Sequence, residues 1–411
     1  MNVQEQGETS MKIGIYGGTF NPPHLGHMTS AGLALKALGL DKLFFVPTAT
    51  PPHKALPEGT PPAEERLRMT DIAADTLRLP GRVAVSDIEL CRSGKSYTVE
   101  TLEEFRRQYP DDELWFLMGS DMLFSLPEWY RPEKICALAH LAAFARGTGK
   151  ELSALKEQAQ RLKETYGAQV TILELPQVVD VSSTQLRELL AKGEGSEYLL
   201  DPVYGYILRR SLYGTHADLK HLTDDQLRAC SLSMVLAKRH AHIRGVEQEA
   251  VKLAQRWGAD EELARRAAIL HDCTKYLELE EQLQICEKYG IELDELERVS
   301  VKLLHSKTGA ALARDVYGQP EEIYWAIFWH TTGKADMALL EKVIYLADYV
   351  EPNRDFPGVD ELRKLCYEDL DGALRKGLEM SIEDLKLRGE PVHQNTQLAL
   401  DWLLEHGKGS L

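Results

Sequence analysis

The chain has 411 residues, of which 44% are hydrophobic and 27% charged, and its formal net charge is −16. This length exceeds that of an ordinary single domain, so we expect two domains. The acidic balance argues against nucleic acid as a partner, because a duplex-binding surface needs a basic stripe. The acidic charge is still compatible with binding of small nucleotides, since local arginines, lysines or a metal can hold them.

Cysteine usage and hydropathy point to a cytoplasmic protein. None of the six cysteines forms a C-x-x-C pair, which disfavours a thiolate zinc site and a disulfide framework. The first ten residues, MNVQEQGETS, lack the apolar core of a secretory signal. No apolar run is long enough to span a bilayer, so we expect no membrane partner.

The first half alternates between short apolar runs and stretches with helical spacing. The apolar runs are KIGIYGG, KLFFVPT, VAVSDIEL, ELWFLMG, HLAAFAR and QVTILEL. Helical spacing occurs at about 25–38, 62–78, 98–109, 151–166 and 183–192. This alternation predicts an α/β fold, a doubly wound parallel sheet that binds ligands at the carboxyl ends of its strands.

The character of the chain changes after Tyr213. The polar stretch GTHADLKHLTDD is typical of a connector, and almost no strand pattern follows it. Apolar residues then recur at helical spacing in VEQEAVKLAQRW, LARRAAILHD, IYWAIFWH and LEKVIYLADYV, which predicts an all-α second domain. We therefore expect a first domain at 11–212, a linker at 213–225 and a second domain at 226–411.

The stretch GGTFNPPHLGH follows the first predicted strand. Gly17 and Gly18 allow a tight turn, and a helix N-terminus near His24 would suit phosphate. His24 and His27 share one helical face and could stabilise charge on a transferring phosphoryl group. The simpler interpretation is a tight turn with two internally bonded histidines.

This stretch resembles the nucleotidyltransferase superfamily, whose signature is H-x-G-H. Over about residues 11–212 the chain resembles bacterial nicotinate-nucleotide adenylyltransferases. The supporting stretches are TATPPHK from Thr48, SDIE from Ser86 followed by Arg92 and SYTVETL, FLMGSD from Phe116, and VSSTQLR from Val181. The resemblance implies a Rossmann-like fold and adenylyl transfer from ATP to nicotinate mononucleotide. The products would be nicotinate adenine dinucleotide, an intermediate of NAD biosynthesis, and pyrophosphate.

The resemblance also implies residue roles, with Mg²⁺ accompanying ATP. His24, His27 and Arg187 would be catalytic. The ATP-binding residues would be Gly17, Gly18, Thr19, His24, His27, Gly119, Asp121, Ser183, Thr184 and Arg187. Because Ser183, Thr184 and Arg187 begin a helix, its N-terminus and guanidinium could clamp the β- and γ-phosphates.

The acceptor pocket is implied by four further residues: Lys54, Tyr97, Thr98 and Trp129. Trp129 could stack on the pyridine ring, and Lys54 could contact the mononucleotide phosphate. Tyr97 and Thr98 open a helix whose N–H groups could bind the nicotinate carboxylate, which predicts a preference for the acid over the amide. Taken singly, aromatic residues such as Tyr97 and Trp129 are more often core residues than ligand contacts.

A second group of polar residues lies in or at the ends of apolar helices, where unpaired polar groups are unfavourable. Its members are His242, His271, Asp272, His305, His330 and Asp348. Convergence on metal explains them together, and a set without thiolate favours iron or manganese. Six ligands suit two ions, with Asp272 as a bridge, which would bind phosphate oxygens and acidify a water. Asp272 and Lys275 would be catalytic, Lys275 by neutralising the leaving phosphate; His240 competes with His242 as the first ligand.

The pattern H…HD…H…H…D resembles the HD-domain phosphohydrolases over roughly 226–405. HTTG and ADYVEPNR further resemble bacterial symmetrical diadenosine-tetraphosphate hydrolases, which form two ADP. The resemblance thus implies a bifunctional enzyme with separate sites. Two alternatives stay open, namely hydrolysis of another nucleotide and a nucleotide-sensing module that regulates the first domain. The sequence is compatible with a homo-oligomer.

Overall fold

The computed structural model describes residues 10–52, 55–77, 79, 81–92, 94–145, 149–175 and 181–406. The chain divides into two compact units, formed by 1–203 with 211–215 and by 204–210 with 216–411. The domain limits 11–212, 213–225 and 226–411 stay predictions. Among the described residues, no helix is both long and apolar enough to cross a membrane.

The first unit is built on six parallel strands. They are β1 (Lys12–Gly18), β2 (Lys42–Pro47), β3 (Val83–Val85), β4 (Glu113–Gly119), β5 (His140–Ala145) and β6 (Val170–Glu174). The sheet order is β3-β2-β1-β4-β5-β6. The order reverses between β1 and β4, where Ile15 pairs with both Phe44 and Phe116. This confirms the predicted doubly wound sheet and places the expected ligand crevice beyond Gly18 and Gly119.

Helices follow the strands in chain order. They are α1 (Leu25–Ala37), α2 (Ala63–Asp75), α3 (Thr98–Gln108), α4 (Ser120–Ser125), α5 (Pro132–Leu138), α6 (Gly149–Tyr166), α7 (Ser183–Leu190) and α8 (Asp201–Arg209). Buried Leu102, Ile135 and Leu155 from these helices pack on Ile13 and Phe116 of the sheet. The short α4 and α5 were not predicted, since neither is long enough to show helical periodicity.

The described part of the second unit contains helices and no strand, which confirms the predicted all-α domain. After α8 come α9 (Asp224–Leu232), α10 (His240–Trp257), α11 (Glu261–Leu270), α12 (Leu279–Lys288), α13 (Val301–Ala311), α14 (Glu321–Trp329), α15 (Leu339–Val350), α16 (Val359–Glu368), α17 (Leu370–Leu387) and α18 (Gln394–His406). Val246, Ala267, Ile327 and Ile344 are completely buried in one apolar cluster of this unit. The apolar faces of α10, α11, α14 and α15 therefore form its core.

Candidate functional sites

Two histidines cap the helix that follows β1. His24 is the N-cap residue of α1, and its Nδ1 accepts a hydrogen bond from the Gly26 backbone N–H at 3.2 Å. Nδ1 of His27 accepts from the backbone N–H of His24, also at 3.2 Å. Because both Nδ1 atoms accept, the neutral rings carry their hydrogens on Nε2. The two rings, 3.8 Å apart between centroids, thus provide two N–H donors at a helix N-terminus, which suits phosphate.

The turn between β1 and α1 has little room for side chains. A Cβ on Gly17 would lie 3.4 Å from the Phe116 ring, and one on Gly18 would lie 3.2 Å from the Phe20 ring. A Cβ on Gly119, the N-cap residue of α4, would lie 2.6 Å from Oδ1 of Asp121. Glycine at Gly18 and Gly119 therefore permits close packing at the ends of β1 and β4.

Arg66 supports this turn from inside the unit, although sequence reasoning did not identify it. The side chain is completely buried on α2, and burial lowers its pKa. Its Nη1 donates to the carbonyls of Thr19 and Thr48, both at 2.7 Å, and Nη2 donates to that of Ala49 at 3.1 Å. Arg66 thus joins the segments that follow β1 and β2. The feature of the sequence that could have identified Arg66 is its position on the apolar face of a predicted helix.

Arg187 brings α7 to the same turn. Its Nη1 donates to the carbonyl of Asn21 at 2.9 Å, and its Nη2 donates to Oγ1 of Thr184 at 3.1 Å. Ser182 caps α7, since its Oγ accepts from the Gln185 backbone N–H. The predicted phosphate clamp formed by Ser183, Thr184 and Arg187 therefore lies beside the segment that leads to His24.

The predicted acceptor residues lie near two helix starts. Tyr97 is the N-cap residue of α3, which begins at Thr98. The ring of Tyr97 lies 4.8 Å from the ring of Tyr130. Nε1 of Trp129 donates to Oγ of Ser125 at 3.2 Å, and the indole remains partly exposed. Lys54 lies outside the described residues. The side chain of Tyr97 makes no capping hydrogen bond to α3.

The second unit brings the six predicted ligands together. They form two groups of three, and within each group the ligand atoms lie within 4.8 Å of one another. Group A is His242, His271 and Asp348, and group B is Asp272, His305 and His330. Nε2 of His242 lies 3.3 Å from Nε2 of His271 and 3.0 Å from Oδ1 of Asp348. Asp272 faces both groups, because Oδ1 lies 3.1 Å from Nε2 of His305 and Oδ2 lies 3.4 Å from Nε2 of His271.

The hydrogen bonds of these histidines show whether the groups fit metal ions. Nδ1 of His271 donates to the carbonyl of Ala268 at 2.6 Å, and Nδ1 of His330 donates to that of Ile327 at 2.7 Å. Because a carbonyl only accepts, each neutral ring must present a lone pair on Nε2. This is the tautomer that a metal ligand needs, and the outward bond fixes the ring orientation.

Asp272 supplies a second indication of fit. Its Oδ1 is buried and lies 3.1 Å from Nε2 of His305 and 3.3 Å from the Lys275 ammonium. Burial by itself would raise the pKa of Asp272, but the neighbouring His271 and Lys275 side chains hold that pKa well below its usual range. A buried ionised carboxylate beside imidazole lone pairs fits divalent cations with oxygen and nitrogen ligands.

Cationic side chains surround the two groups. Nε of Arg239 donates to Oδ2 of Asp272 at 2.5 Å, and Nζ of Lys275 lies 3.1 Å from Nε2 of His305. Nη2 of Arg354 donates to Oδ1 of Asp348 at 2.8 Å. Lys275, predicted to be catalytic, therefore lies beside group B, while sequence reasoning assigned no role to Arg239 or Arg354. His240 belongs to neither group, and its Nε2 lies 3.1 Å from the carbonyl of Leu232.

Both halves of the chain match known protein families. The cytidylyltransferase-like family matches residues 15–189, and the HD domain family matches residues 239–353. A probable nicotinate-nucleotide adenylyltransferase of Shouchella clausii is 40% identical over 205 residues, 49% of this chain and 97% of that protein. The chain belongs to the nicotinate-nucleotide adenylyltransferase family and carries an HD domain. This confirms the resemblance on which the residue roles were based.

A symmetrical bis(5'-nucleosyl)-tetraphosphatase of Bacillus subtilis is also a relative. It is 42% identical over 177 residues, which are 43% of this chain and 95% of that protein. A solved structure from Clostridium acetobutylicum, described as an HD superfamily hydrolase involved in NAD metabolism, shares 40% identity. It covers 45% of this chain and 98% of its own, with a TM-score of 0.44. The HD domain indicates a hydrolase that binds divalent metal.

Proposed function

We propose that the first unit transfers the adenylyl group of ATP to nicotinate mononucleotide. The observation that carries this proposal is the pair of Nε2–H donors of His24 and His27 at the end of β1, beside Arg187. A phosphate oxygen of the mononucleotide would attack the α-phosphorus, and the bond to pyrophosphate would break. Such a displacement depends on positioning and charge neutralisation rather than on a protein nucleophile.

The roles of the side chains follow from their donors. His24 and His27 would donate to the phosphoryl oxygens as charge develops, and Arg187 with the start of α7 would hold the leaving pyrophosphate. Mg²⁺ bound with ATP would neutralise further phosphate charge. The N–H groups at the start of α3 would receive the nicotinate carboxylate, next to the ring of Trp129. Lys54 is proposed for the mononucleotide phosphate.

A product assay on the purified protein tests this proposal. ATP with nicotinate mononucleotide should yield nicotinate adenine dinucleotide and pyrophosphate in equal amounts. The amide mononucleotide should react much more slowly, since its neutral carboxamide lacks the negative charge that the start of α3 would bind. Equal turnover of acid and amide would contradict the proposed acceptor pocket, and absence of the dinucleotide would contradict the transferase function.

We further propose that the second unit hydrolyses diadenosine tetraphosphate symmetrically into two ADP. The observation that carries this proposal is the pair of three-residue groups joined by Asp272. Groups A and B would hold two divalent ions, iron or manganese, whose chemistry is Lewis acidity toward phosphate and water. Lys275, Arg239 and Arg354 would neutralise the phosphate oxygens, since each already lies beside a carboxylate of the site.

Product analysis separates this function from its alternatives. Diadenosine tetraphosphate with Mn²⁺ or Fe²⁺ should give ADP alone, and chelation should abolish the reaction. ATP plus AMP would contradict symmetrical cleavage, and turnover of a different nucleotide would identify another substrate. If His271→Ala changed no hydrolysis but altered how dinucleotides affect adenylyl transfer, the second unit would be a sensor instead.

A further inference from the structure

A turn directly after α15 contacts two of the three ligand side chains of group A. Oε1 of Glu351 lies 3.1 Å from Nδ1 of His242, the ring nitrogen that faces away from the group. Arg354 donates from Nη2 to Oδ1 of Asp348 at 2.8 Å and from Nε to the Asp348 carbonyl at 2.9 Å. The turn from Glu351 to Arg354 therefore determines the orientation of both His242 and Asp348.

This turn is itself held by several hydrogen bonds. Oε2 of Glu351 accepts from the backbone N–H of Asn353 at 2.7 Å and from its Nδ2 at 2.8 Å. Arg363 on α16 donates to the carbonyls of Val350, Glu351 and Arg354 at 2.8, 2.9 and 2.6 Å. Since Glu351 is only 1% exposed, its carboxylate has little freedom to leave His242.

The facing helix leaves space for this carboxylate. A Cβ on Gly245 of α10 would clash with Oε2 of Glu351 and would lie 2.9 Å from Nδ2 of Asn353. Any side chain at Gly245 would therefore displace Glu351 from its place behind His242. Gly245, Glu351 and His242 form one packed unit, in which the glycine admits the carboxylate and the carboxylate orients the imidazole.

Group B has no carboxylate behind either of its imidazoles among the described residues. Nδ1 of His305 is buried and has no hydrogen-bond partner there, and Nδ1 of His330 bonds to a backbone carbonyl. The ammonium of Lys275 lies 3.1 Å from Nε2 of His305 and 3.3 Å from Oδ1 of Asp272. Lys275 thus faces two of the three ligand residues of group B, whereas Arg354 and Arg239 both face Asp348 in group A.

We propose that the two groups bind divalent ions unequally, with group A filled first and Glu351 as the positioning residue responsible. The inference rests on the metal-dependent function proposed above. A carboxylate behind a ligating imidazole fixes its tautomer and raises its basicity, and loss of such a partner typically lowers metal affinity about 10- to 100-fold. Arg354 positions Asp348 but brings positive charge, so Glu351 is the residue that favours the ion.

The experiment is a calorimetric titration of Mn²⁺ into full-length protein that has been stripped of metal by a chelator. The wild type should show two events, the first at least about tenfold tighter than the second. Glu351→Ala should weaken the first event about 10- to 100-fold and leave the second unchanged. Glu351→Gln keeps an acceptor but loses the charge. Its affinity for the first ion should therefore lie between those of the wild type and Glu351→Ala. His330→Gln should remove the weaker event alone and so assign it to group B.

Glu249→Ala is the matched control. Glu249 lies on α10, as His242 does, and its side chain is buried. Its Oε1 accepts from the hydroxyl of Tyr367 at 2.8 Å rather than contacting a ligand of group A. Both binding events should survive this change. If circular dichroism shows that Glu351→Ala is unfolded, Gly245→Ala supplies a second variant. Its added methyl group would press on the same carboxylate and should weaken the same binding event.

Two equal events in the wild type, or an unchanged first event in Glu351→Ala, would overturn the inference. Because the titration contains no substrate, it is independent of hydrolysis. A protein that binds Mn²⁺ as expected but forms no ADP would contradict only the proposed hydrolase. A protein that forms ADP with two equal sites would contradict only the inequality, and a protein that binds no Mn²⁺ would contradict both.

Discussion

Nη1 of Arg187 donates to the backbone carbonyl of Asn21 at 2.9 Å, although 166 positions separate the two residues. The bond joins α7 to the segment that precedes the histidine cap of α1. Two candidate phosphate-binding helix starts are thus held together at the carboxyl end of the sheet. The same guanidinium bonds to Thr184, so its orientation is determined from two sides.

Arg187→Lys should lower kcat/KM for ATP about 10- to 100-fold, mainly through a higher KM. An ammonium lacks the planar fork that contacts Asn21 and Thr184 while facing a phosphate. Initial rates of pyrophosphate release over a range of ATP concentrations check this. Arg68→Lys, on an exposed face of α2, is the control and should behave as wild type. Unchanged kinetics of Arg187→Lys would remove Arg187 from the proposed clamp.

His27→Ala should lower the rate of adenylyl transfer by about 100-fold or more, because it removes one of the two Nε2–H donors. Hydrolysis of diadenosine tetraphosphate should be unaffected, since the two groups of ligands lie wholly in the second unit. Parallel assays of both activities provide the measurement. His140→Ala, at the opposite end of the strands, is the matched control. Loss of both activities in a folded protein would contradict separate sites.

Arg66→Met should destabilise the first unit by at least about 3 kcal/mol. The change leaves the partly buried carbonyls of Thr19, Thr48 and Ala49 without this donor, and each unsatisfied group contributes about 1–3 kcal/mol. Urea unfolding monitored by circular dichroism measures the free energy. The exposed neighbour offers a comparison, because Arg68→Met should change stability by no more than about 0.5 kcal/mol. A similar loss in both variants would show that Arg66 has no special role.

Chelation should lower the unfolding temperature of the second unit and leave that of the first unchanged. Ions bound only to the folded state stabilise it, so their removal takes that stabilisation away from the unit that holds groups A and B. Differential scanning calorimetry with EDTA, and again after Mn²⁺ is restored, checks this. A variant truncated in both groups, His271→Ala with His330→Ala, should lose the response to EDTA. Equal shifts of both transitions would argue against a metal confined to the second unit.

Glu297→Gln should reduce the loss of stability in acid. Burial would raise the pKa of Glu297, but hydrogen bonds from His393 and Lys307 outweigh it and hold the pKa at about 2. Because this folded-state pKa lies below the ordinary 4.5, the ionised carboxylate stabilises the fold above pH 4.5. That contribution, up to about 3 kcal/mol, disappears as the pH falls from about 4.5 to about 2.

Urea unfolding at several acid pH values, with chelator present, tests this dependence. The wild type should lose stability more steeply below pH 4.5 than Glu297→Gln does. The exposed Glu287→Gln serves as the control and should follow the wild type. Parallel pH profiles for wild type and Glu297→Gln would mean that the contacts to His393 and Lys307 contribute nothing to acid stability.

The metal groups could be predicted because histidine and aspartate are rare inside apolar helices. His271, Asp272 and His305 are each a polar residue in or directly after an apolar stretch of the sequence. Arg66 and Glu351 could not be singled out in the same way, since a charged residue in a helix or after one is ordinarily exposed. Only their burial, and the carbonyls or imidazole beside them, revealed what they do.

Strand and helix periods, glycine turns and the histidine motifs are local properties, so the sequence alone determined the parallel sheet, the helical second half and the ligand types. Which ring nitrogen faces a metal, and which carboxylate lies behind His242, depend on atoms brought together from distant positions. Glu351 lies 109 positions from His242 and Arg66 lies 47 positions from Thr19. Such contacts arise from packing, which pattern and spacing do not encode, and the tertiary structure decided them.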